Sequence, residues 1–266
     1  MRAALEVARA AALAVARVAA EEAGRLLLSR FGSVQRVRYK GPADIVTAAD
    51  RASERLIRRR LATSFPAIPF LGEEGGGPEH LERLEAVWVV DPLDGTVNFA
   101  HGNPVFSVSI ALVEGGQPVA GVVHDPTRRE SFLARRGAGA WLGRRRLEVT
   151  RRRQLLESLL STGFSYQRGA TLDLSLSRFA RFHHAARAVR RPGSAALDLA
   201  YVAAGRFDGF WESGLKPWDV AAGWLLVEEA GGRVTDYAGR PYRLGGGDIL
   251  ASNGRLHPAM RRRLGV

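Results

Sequence analysis

The chain has 266 residues, 46% of them hydrophobic and 25% charged, with a net charge of +12 and no cysteine. That length buries a large core, and the lack of cysteine excludes disulfides, zinc–thiolate centres and thiol nucleophiles, leaving oxygen and histidine as metal ligands. No apolar run approaches the roughly 20 residues that cross a bilayer, so a cytoplasmic location is expected.

Residues 2 to 31 are rich in Ala, Leu, Glu and Arg, with Leu5, Ala8, Ala12, Val15 and Ala19 near helical spacing. They predict a long amphipathic helix ending at Phe31-Gly32. Val34 to Tyr39 reads as a short strand, and Lys40-Gly41-Pro42-Ala43-Asp44 as a loop. A second helix follows Asp44-Ile45-Val46-Thr47-Ala48-Ala49-Asp50, burying Leu56, Ile57, Leu61 and Phe65. Asp44, Thr47 and Asp50 are explained equally well as helix caps or turn formers. Phe65-Pro66 ends that helix. Pro69-Phe70-Leu71 is then a short apolar piece running into Gly72-Glu73-Glu74.

The apolar run Val87-Trp88-Val89-Val90 leading into Asp91 reads as a buried strand, and Pro92-Leu93-Asp94-Gly95 as its abrupt end. Asp-Pro and Asp-Gly are ordinary turn formers. Two carboxylates at a strand end also suit a hard cation such as Mg²⁺, and Gly95-Thr96 suit the head of a helix facing an anion. Val105 to Val113 and Pro118 to His124 are two strands joined through Glu114-Gly115-Gly116-Gln117 as a hairpin. Ser131 to Ala134 and Ala140 to Leu142 continue the antiparallel pattern.

The Arg-rich stretch near 144 to 153 marks the expected boundary between an N-terminal lobe, 1–150, and a C-terminal α/β lobe, 151–266. In the second lobe, Ser158 to Thr162 is a strand and Leu172 to Phe182 a helix. His183-His184 is read as a helix-end surface pair, because adjacent helical residues do not face one site. Ser194 caps a helix that runs through Ala204. Phe207 to Trp211 is a strand ending in Glu212. Pro217-Trp218-Asp219 starts an apolar helix, where Pro and an acidic residue both suit the first turn. Strands near Arg233 to Thr235 and Ile249 to Ser252, and a short helix from His257, complete the chain.

Glu73, Asp91, Asp94 and Asp219 thus all fall at the ends of apolar elements. Such an all-oxygen set suits Mg²⁺ or Mn²⁺, which bind a phosphate ester and activate a water for in-line attack. No Ser stands in a G-x-S-x-G elbow.

These segments, together with Gly193-Ser194-Ala195-Ala196-Leu197-Asp198 and Trp218-Asp219-Val220-Ala221-Ala222-Gly223, resemble the inositol monophosphatase family of Mg²⁺-dependent, lithium-sensitive phosphatases. The resemblance covers essentially the whole chain. It implies an α+β fold, a layered α-β-α-β-α sandwich of the inositol monophosphatase and fructose-1,6-bisphosphatase type. It implies an antiparallel first sheet and a mixed second one, forming one catalytic unit and a homodimer.

By the same resemblance, Glu73 and Asp91, with the Leu93 carbonyl, hold metal, and Asp94 and Asp219 hold a second ion. Two or three Mg²⁺ are expected. Thr96 passes a water's proton toward Asp50, and Glu73 orients that water. The Gly95 and Thr96 N–H groups bind phosphate. Gly193, Ala195, Glu212 and Asp219 contact the substrate, and Lys40 and Asp44 lie on a mobile loop. Val97 stands where many relatives carry Thr, and residues 75–87 are short and glycine-rich, so one lip of the cleft is expected to differ. The implied substrate is myo-inositol 1-phosphate or a related polyol phosphate, with fructose 1,6-bisphosphate as an alternative. A nucleic-acid-binding regulatory role is motivated by the +12 charge. Against it, the longest Arg runs, 58–60, 144–146, 151–153 and 261–263, are short and lack interleaved aromatics, and read as solvated surface.

Overall fold

The structure, a computed structural model, describes residues 2–33, 38–39, 45–164 and 169–265. Lys40 and Asp44, the expected loop residues, lie outside these, as do residues 34–37 of the first expected strand.

The N-terminal half contains α1 (Arg2–Leu28), β1 (Arg38–Tyr39), β2 (Ile45–Val46) and α2 (Ala48–Ser64). There follow β3 (Phe70–Gly72), β4 (Val87–Asp94), the short α3 (Thr96–Ala100), β5 (Ser107–Glu114) and β6 (Gln117–Asp125). β7 (Glu130–Arg135), β8 (Gly139–Leu142) and β9 (Arg145–Arg146) then complete a seven-stranded sheet in sequential order, β3 to β9. Beyond it come β10 (Leu159–Thr162), α4 (Ala170–His183), β11 (Ala188–Arg190) and α5 (Ala195–Ala203). The last elements are β12 (Gly209–Glu212), α6 (Pro217–Glu229), β13 (Arg233–Thr235), β14 (Ile249–Ser252) and α7 (His257–Leu264). Their strands form a five-stranded sheet in the order β11-β10-β12-β14-β13.

The elements stack in layers. α1 and α2 cover one face of the larger sheet, and α5 and α6 lie between the two sheets. α4 and α7 pack on the far side of the smaller sheet. The β4 sequence shows why. Trp88 and Val90 point into the core under α1 and α2, while Val87 and Val89 point into the core around α5 and α6. A strand buried on both faces reads as a continuous apolar run rather than an alternating one. On α1, Ala12, Ala16, Ala19, Ala20 and Ala23 are all buried, and their small side chains let the helix lie close on the sheet. Gly121 of β6 does the same for α6, since a Cβ there would stand 3.0 Å from the Ala222 Cα.

Several sequence expectations are corrected. The larger sheet is mixed rather than wholly antiparallel, because β3 runs parallel to β4. The chain crosses from β3 to β4 through a loop instead of turning back in a hairpin. β4 does not stop at Pro92. It continues to Asp94 through an irregularity between Asp91 and Asp94, where a proline without an N–H is tolerated. α1 stops at Leu28 instead of Phe31. Its end tightens into shorter bonds, Arg30 N–H to the Leu27 carbonyl at 3.0 Å and Phe31 N–H to the Leu28 carbonyl at 3.3 Å. The strands β9 and β11, two and three residues long, are too short to show a period. The smaller sheet is mixed as expected: β10 is parallel to β11 and β12, and β14 is antiparallel to β12 and β13.

Candidate active site

The parallel pairing of β3 with β4 sets the first pair of carboxylates. Its register matches Gly72 with Val90, so Glu73 emerges beside Asp91, and the Glu73 N–H donates to the Val90 carbonyl at 3.3 Å. Asp91 is buried, and its Oδ1 accepts the Leu93 N–H at 3.0 Å. Past the irregularity, Asp94 pairs with Ser107.

Two serines of β5 tie the middle helices to this corner. Ser107 and Ser109 alternate onto one face of the strand. Ser107 Oγ lies 3.2 Å from Ser194 Oγ at the head of α5, and Ser109 Oγ donates to the Trp218 carbonyl at 3.3 Å at the head of α6. Ser194 caps α5, its Oγ accepting the Leu197 N–H at 3.4 Å. It also donates to Asp94 Oδ2 at 2.6 Å, which the Ala196 N–H reaches at 2.8 Å. Asp94 therefore sits on the positive end of α5. Asp219 occupies the first turn of α6, with Oδ2 accepting the Lys216 N–H at 2.7 Å. The capping explanation of Asp219 holds, and the same side chain reaches the acidic cluster.

The four carboxylates share one electrostatic neighbourhood. Burial raises the Asp91 carboxyl well above its ordinary range, and the charges of Glu73, Asp94 and Asp219 raise it further. Asp219 is raised by burial first, then by Asp94, Glu73 and Glu212. Burial also raises Asp94, against the bonds from Ser194 and Ala196. Among the described residues no group of three or more His, Asp or Glu side chains is arranged to hold a metal ion by side chains alone. Mg²⁺ keeps several waters and takes one or two carboxylates plus substrate phosphate oxygens. An all-oxygen, mutually repelling set, with Asp91 buried and Glu73, Asp94 and Asp219 half-buried, fits such a cation, which would relieve the repulsion.

Thr96 heads α3 directly after Gly95, whose φ of 96° is a left-handed conformation suited to glycine. The Thr96 hydroxyl lies 2.9 Å from Asp50 Oδ1 and 3.0 Å from the Leu93 carbonyl. Asp50 is fully buried, and its Oδ2 accepts the Thr47 N–H at 2.9 Å and hydroxyl at 2.6 Å. Thr47 and Asp50 form the capping box of α2. Burial raises the Asp50 carboxyl despite these bonds.

Beside this corner lies a cavity of about 90 Å³ lined by Asp94, Gly95, Gly193, Ala195, Glu212 and Asp219, with Gly163, Arg191 and Asp198. Glu212 ends β12 and is buried, and burial pushes its carboxyl up to about 8 against the opposing charge of Arg191. A Cβ on Gly163 would collide with the Glu212 carboxylate. The structure thus brings together Asp50, Glu73, Asp91, Asp94, Thr96, Glu212 and Asp219, which sequence reading had picked from separate segments. His183 and His184 are exposed and apart from the site.

Several supporting residues carry no separate signal in the sequence. Ser107 and Ser109 lie inside the apolar pattern of a strand. Asn98, inside the Asp-Pro segment, donates through Nδ2 to the Val105 carbonyl at 2.7 Å and the Pro192 carbonyl at 2.9 Å, fastening α3 to the loop before α5. Only its Asn identity within an otherwise apolar turn hinted at this.

Helices between and outside two sheets, with acidic residues gathered where β3, β4, α5 and α6 meet, define a layered α/β sandwich whose acidic corner suits a hard divalent cation. A sequence profile of the inositol monophosphatase family matches residues 8–264, and the chain belongs to that family. It is 45% identical to an inositol-1-monophosphatase of Synechocystis sp. over 91% of this chain and 84% of that one. It is 46% identical to a protein of Pseudomonas aeruginosa named Nus factor SuhB, over 90% of each chain. The crystal structure of extragenic suppressor protein suhB from Bartonella henselae superposes with a TM-score of 0.90 at 43% identity, covering 96% of this chain and 98% of that one.

Proposed function

We propose that this protein hydrolyses myo-inositol 1-phosphate, or a closely related polyol phosphate, to the free polyol and inorganic phosphate. The observation that carries the reading is the buried Asp91 carboxyl held under the combined charge of Glu73, Asp94 and Asp219. Glu73, Asp91, the Leu93 carbonyl, Asp94 and Asp219 would hold two or three Mg²⁺ ions, with Mn²⁺ as a substitute. When bound, the metal lowers the pKa of a water and stabilises the leaving oxygen. Lithium sensitivity is expected with it.

The chain's own groups do the rest. The N–H groups of Gly95 and Thr96, which a helix head leaves without intrahelical partners, hold the phosphate. Glu73 orients the attacking water. Thr96 takes that water's proton as its own moves to Asp50, whose raised carboxyl makes it a competent acceptor. The water oxygen forms the new bond to phosphorus as the ester P–O bond breaks, and the departing polyol oxygen takes up a proton from solvent water. Glu212, Gly193 and Ala195 orient the polyol, since the two oxygens of a carboxyl group can hydrogen-bond its hydroxyls. We further propose two lobes, 1–150 and 151–266, acting as one catalytic unit, Lys40 and Asp44 on a mobile loop, a homodimer, and a cytoplasmic location. No helix among the described residues is long and apolar enough to cross a membrane.

The test is phosphate release from inositol 1-phosphate, fructose 1,6-bisphosphate, histidinol phosphate and nucleotide monophosphates, with Mg²⁺ and with EDTA. Mg²⁺-dependent turnover highest on inositol phosphate is expected, and equal rates in EDTA would eliminate the reading. A second, regulatory reading has one specific support. Relatives at 42–46% identity carry the name Nus factor SuhB, and this chain has a net charge of +12. An RNA-binding titration with no salt-sensitive affinity would dispose of a nucleic-acid partner.

A further inference from the structure

We propose that Glu54, a buried glutamate of α2, is a positioning residue for the metal ligand Glu73, and that it acts through hydrogen-bond acceptance rather than through its charge. The inference rests on the reading of Glu73 as a metal ligand. Asp50, Ser53 and Glu54 stand at i, i+3 and i+4 of α2, on one face of the helix, and all three are buried. Asp50 holds the Thr96 hydroxyl at 2.9 Å. Ser53 Oγ donates to the Pro92 carbonyl at 2.8 Å, between Asp91 and Asp94. Glu54 Oε2 accepts the Glu74 N–H at 2.9 Å and the Gly75 N–H at 3.2 Å, directly after Glu73. One helix face therefore touches each of the three backbone segments that carry Thr96, the Asp91–Asp94 pair and Glu73.

The turn is built around that carboxylate. Gly72 and Gly76 exchange backbone bonds at 3.0 and 3.2 Å, which closes the loop over Glu54. A Cβ on Gly72 would collide with Glu54 Oε2, and one on Gly75 would stand 2.6 Å from Oε1. Both glycines leave room for the acceptor. The nearest cation, Arg58, is 3.7 Å from Oε1 and nearly half exposed. The N–H bonds on the other oxygen thus provide the closer hold. The N–H groups of this partly exposed turn, deprived of their acceptor, let the turn open toward water, and that displaces Glu73. Supporting residues of this kind typically affect metal affinity by about 10- to 100-fold.

The test compares Glu54→Gln with Glu54→Asp. Gln loses the charge but keeps an oxygen at the same reach. Asp keeps the charge but withdraws the oxygen by one methylene. Mg²⁺ binding to each protein is measured by titration calorimetry after EDTA treatment, alongside the Mg²⁺ concentration for half-maximal turnover and the melting temperature. We expect Glu54→Asp to weaken Mg²⁺ binding about tenfold or more, and Glu54→Gln to stay within about twofold of the parent. A purely structural role would lower the melting temperature of both without changing Mg²⁺ affinity, and would overturn the proposal. So would the reverse ranking, Gln impaired and Asp intact, which would assign the effect to charge. Parent protein that binds no Mg²⁺ would instead sink the reading of the site itself.

Discussion

The Thr96 hydroxyl and the Asp50 carboxylate meet at 2.9 Å although 46 positions separate them. The contact joins the head of α3 to the capping box of α2, and it places a raised, buried carboxyl behind a hydroxyl at the edge of the acidic corner. Thr96→Val removes the hydroxyl of the proposed proton path while keeping the shape of the side chain. We expect turnover of inositol 1-phosphate in saturating Mg²⁺ to fall about 100-fold or more, with KM little changed. Thr96→Ser keeps the hydroxyl and retains most of the rate. Steady-state phosphate release on both variants checks this.

Gly163 makes room for the Glu212 carboxyl by virtue of what it lacks. Its Cα faces the Glu212 carboxylate, with no room for a methyl group. Gly163→Ala pushes Glu212 aside and, on the proposed role of Glu212, weakens the binding of polyol hydroxyls. KM for inositol 1-phosphate should rise about tenfold, equivalent to about 1.4 kcal/mol, while turnover of an aryl phosphate without polyol hydroxyls stays near the parent value. Parallel kinetics on the two substrates separate this outcome from general damage, which would lower both.

The buried carboxyls predict an unusual pH dependence of stability. Burial raises Asp91, Asp94, Asp198 and Asp219, and raises Glu212 to about 8. The folded chain therefore holds protons that the unfolded chain has released, and stability falls as pH rises from the ordinary carboxylate range toward 8. In EDTA the melting temperature should drop across this interval. Added Mg²⁺ at pH 8 should recover it, since a ligand bound only by the folded state stabilises that state. Thermal melts from pH 5 to 9, with and without Mg²⁺, test both limbs. A flat profile unaffected by Mg²⁺ would contradict the site.

His257 predicts the opposite sign. It is buried between the Thr235 and Ser252 hydroxyls, each 2.9 Å from a ring nitrogen. Burial, with the charges of Arg233 and Arg261, pushes its pKa down to about 4. Below the unfolded value near 6.5 the unfolded chain takes up a proton that the folded chain refuses. Its contribution, at most about 3 kcal/mol, is full above that value and lost as pH falls toward 4. Glu212 and its neighbours act the other way over that range. The difference in melting temperature between the parent and His257→Gln should therefore be largest at pH 7 and shrink at pH 4.

Much of the secondary structure was legible because its causes are local. Pro217 and Asp219 announced the head of α6, Ser194 that of α5, and the strands Arg233–Thr235 and Ile249–Ser252 lie where their apolar runs placed them. The continuous apolar run of β4 signalled burial on two faces. The parallel pairing of β3 with β4 was not legible, since three residues carry no period and strand direction depends on the partner. Nor were Ser107, Ser109 and Glu54, whose roles follow from what packs against them.

The sequence alone determined the chemistry available: an oxygen-only donor set without cysteine, acidic residues at the tips of apolar elements, and a family resemblance spanning the chain. Only the tertiary structure decided which of those residues share a field. Glu73 reaches Asp91 through a parallel register, Asp94 meets the head of α5, and Asp219 arrives on α6. Each of those meetings depends on packing between segments distant in the chain. A carboxylate's ionisation and reach are set by such neighbours, not by the residues adjacent to it in sequence.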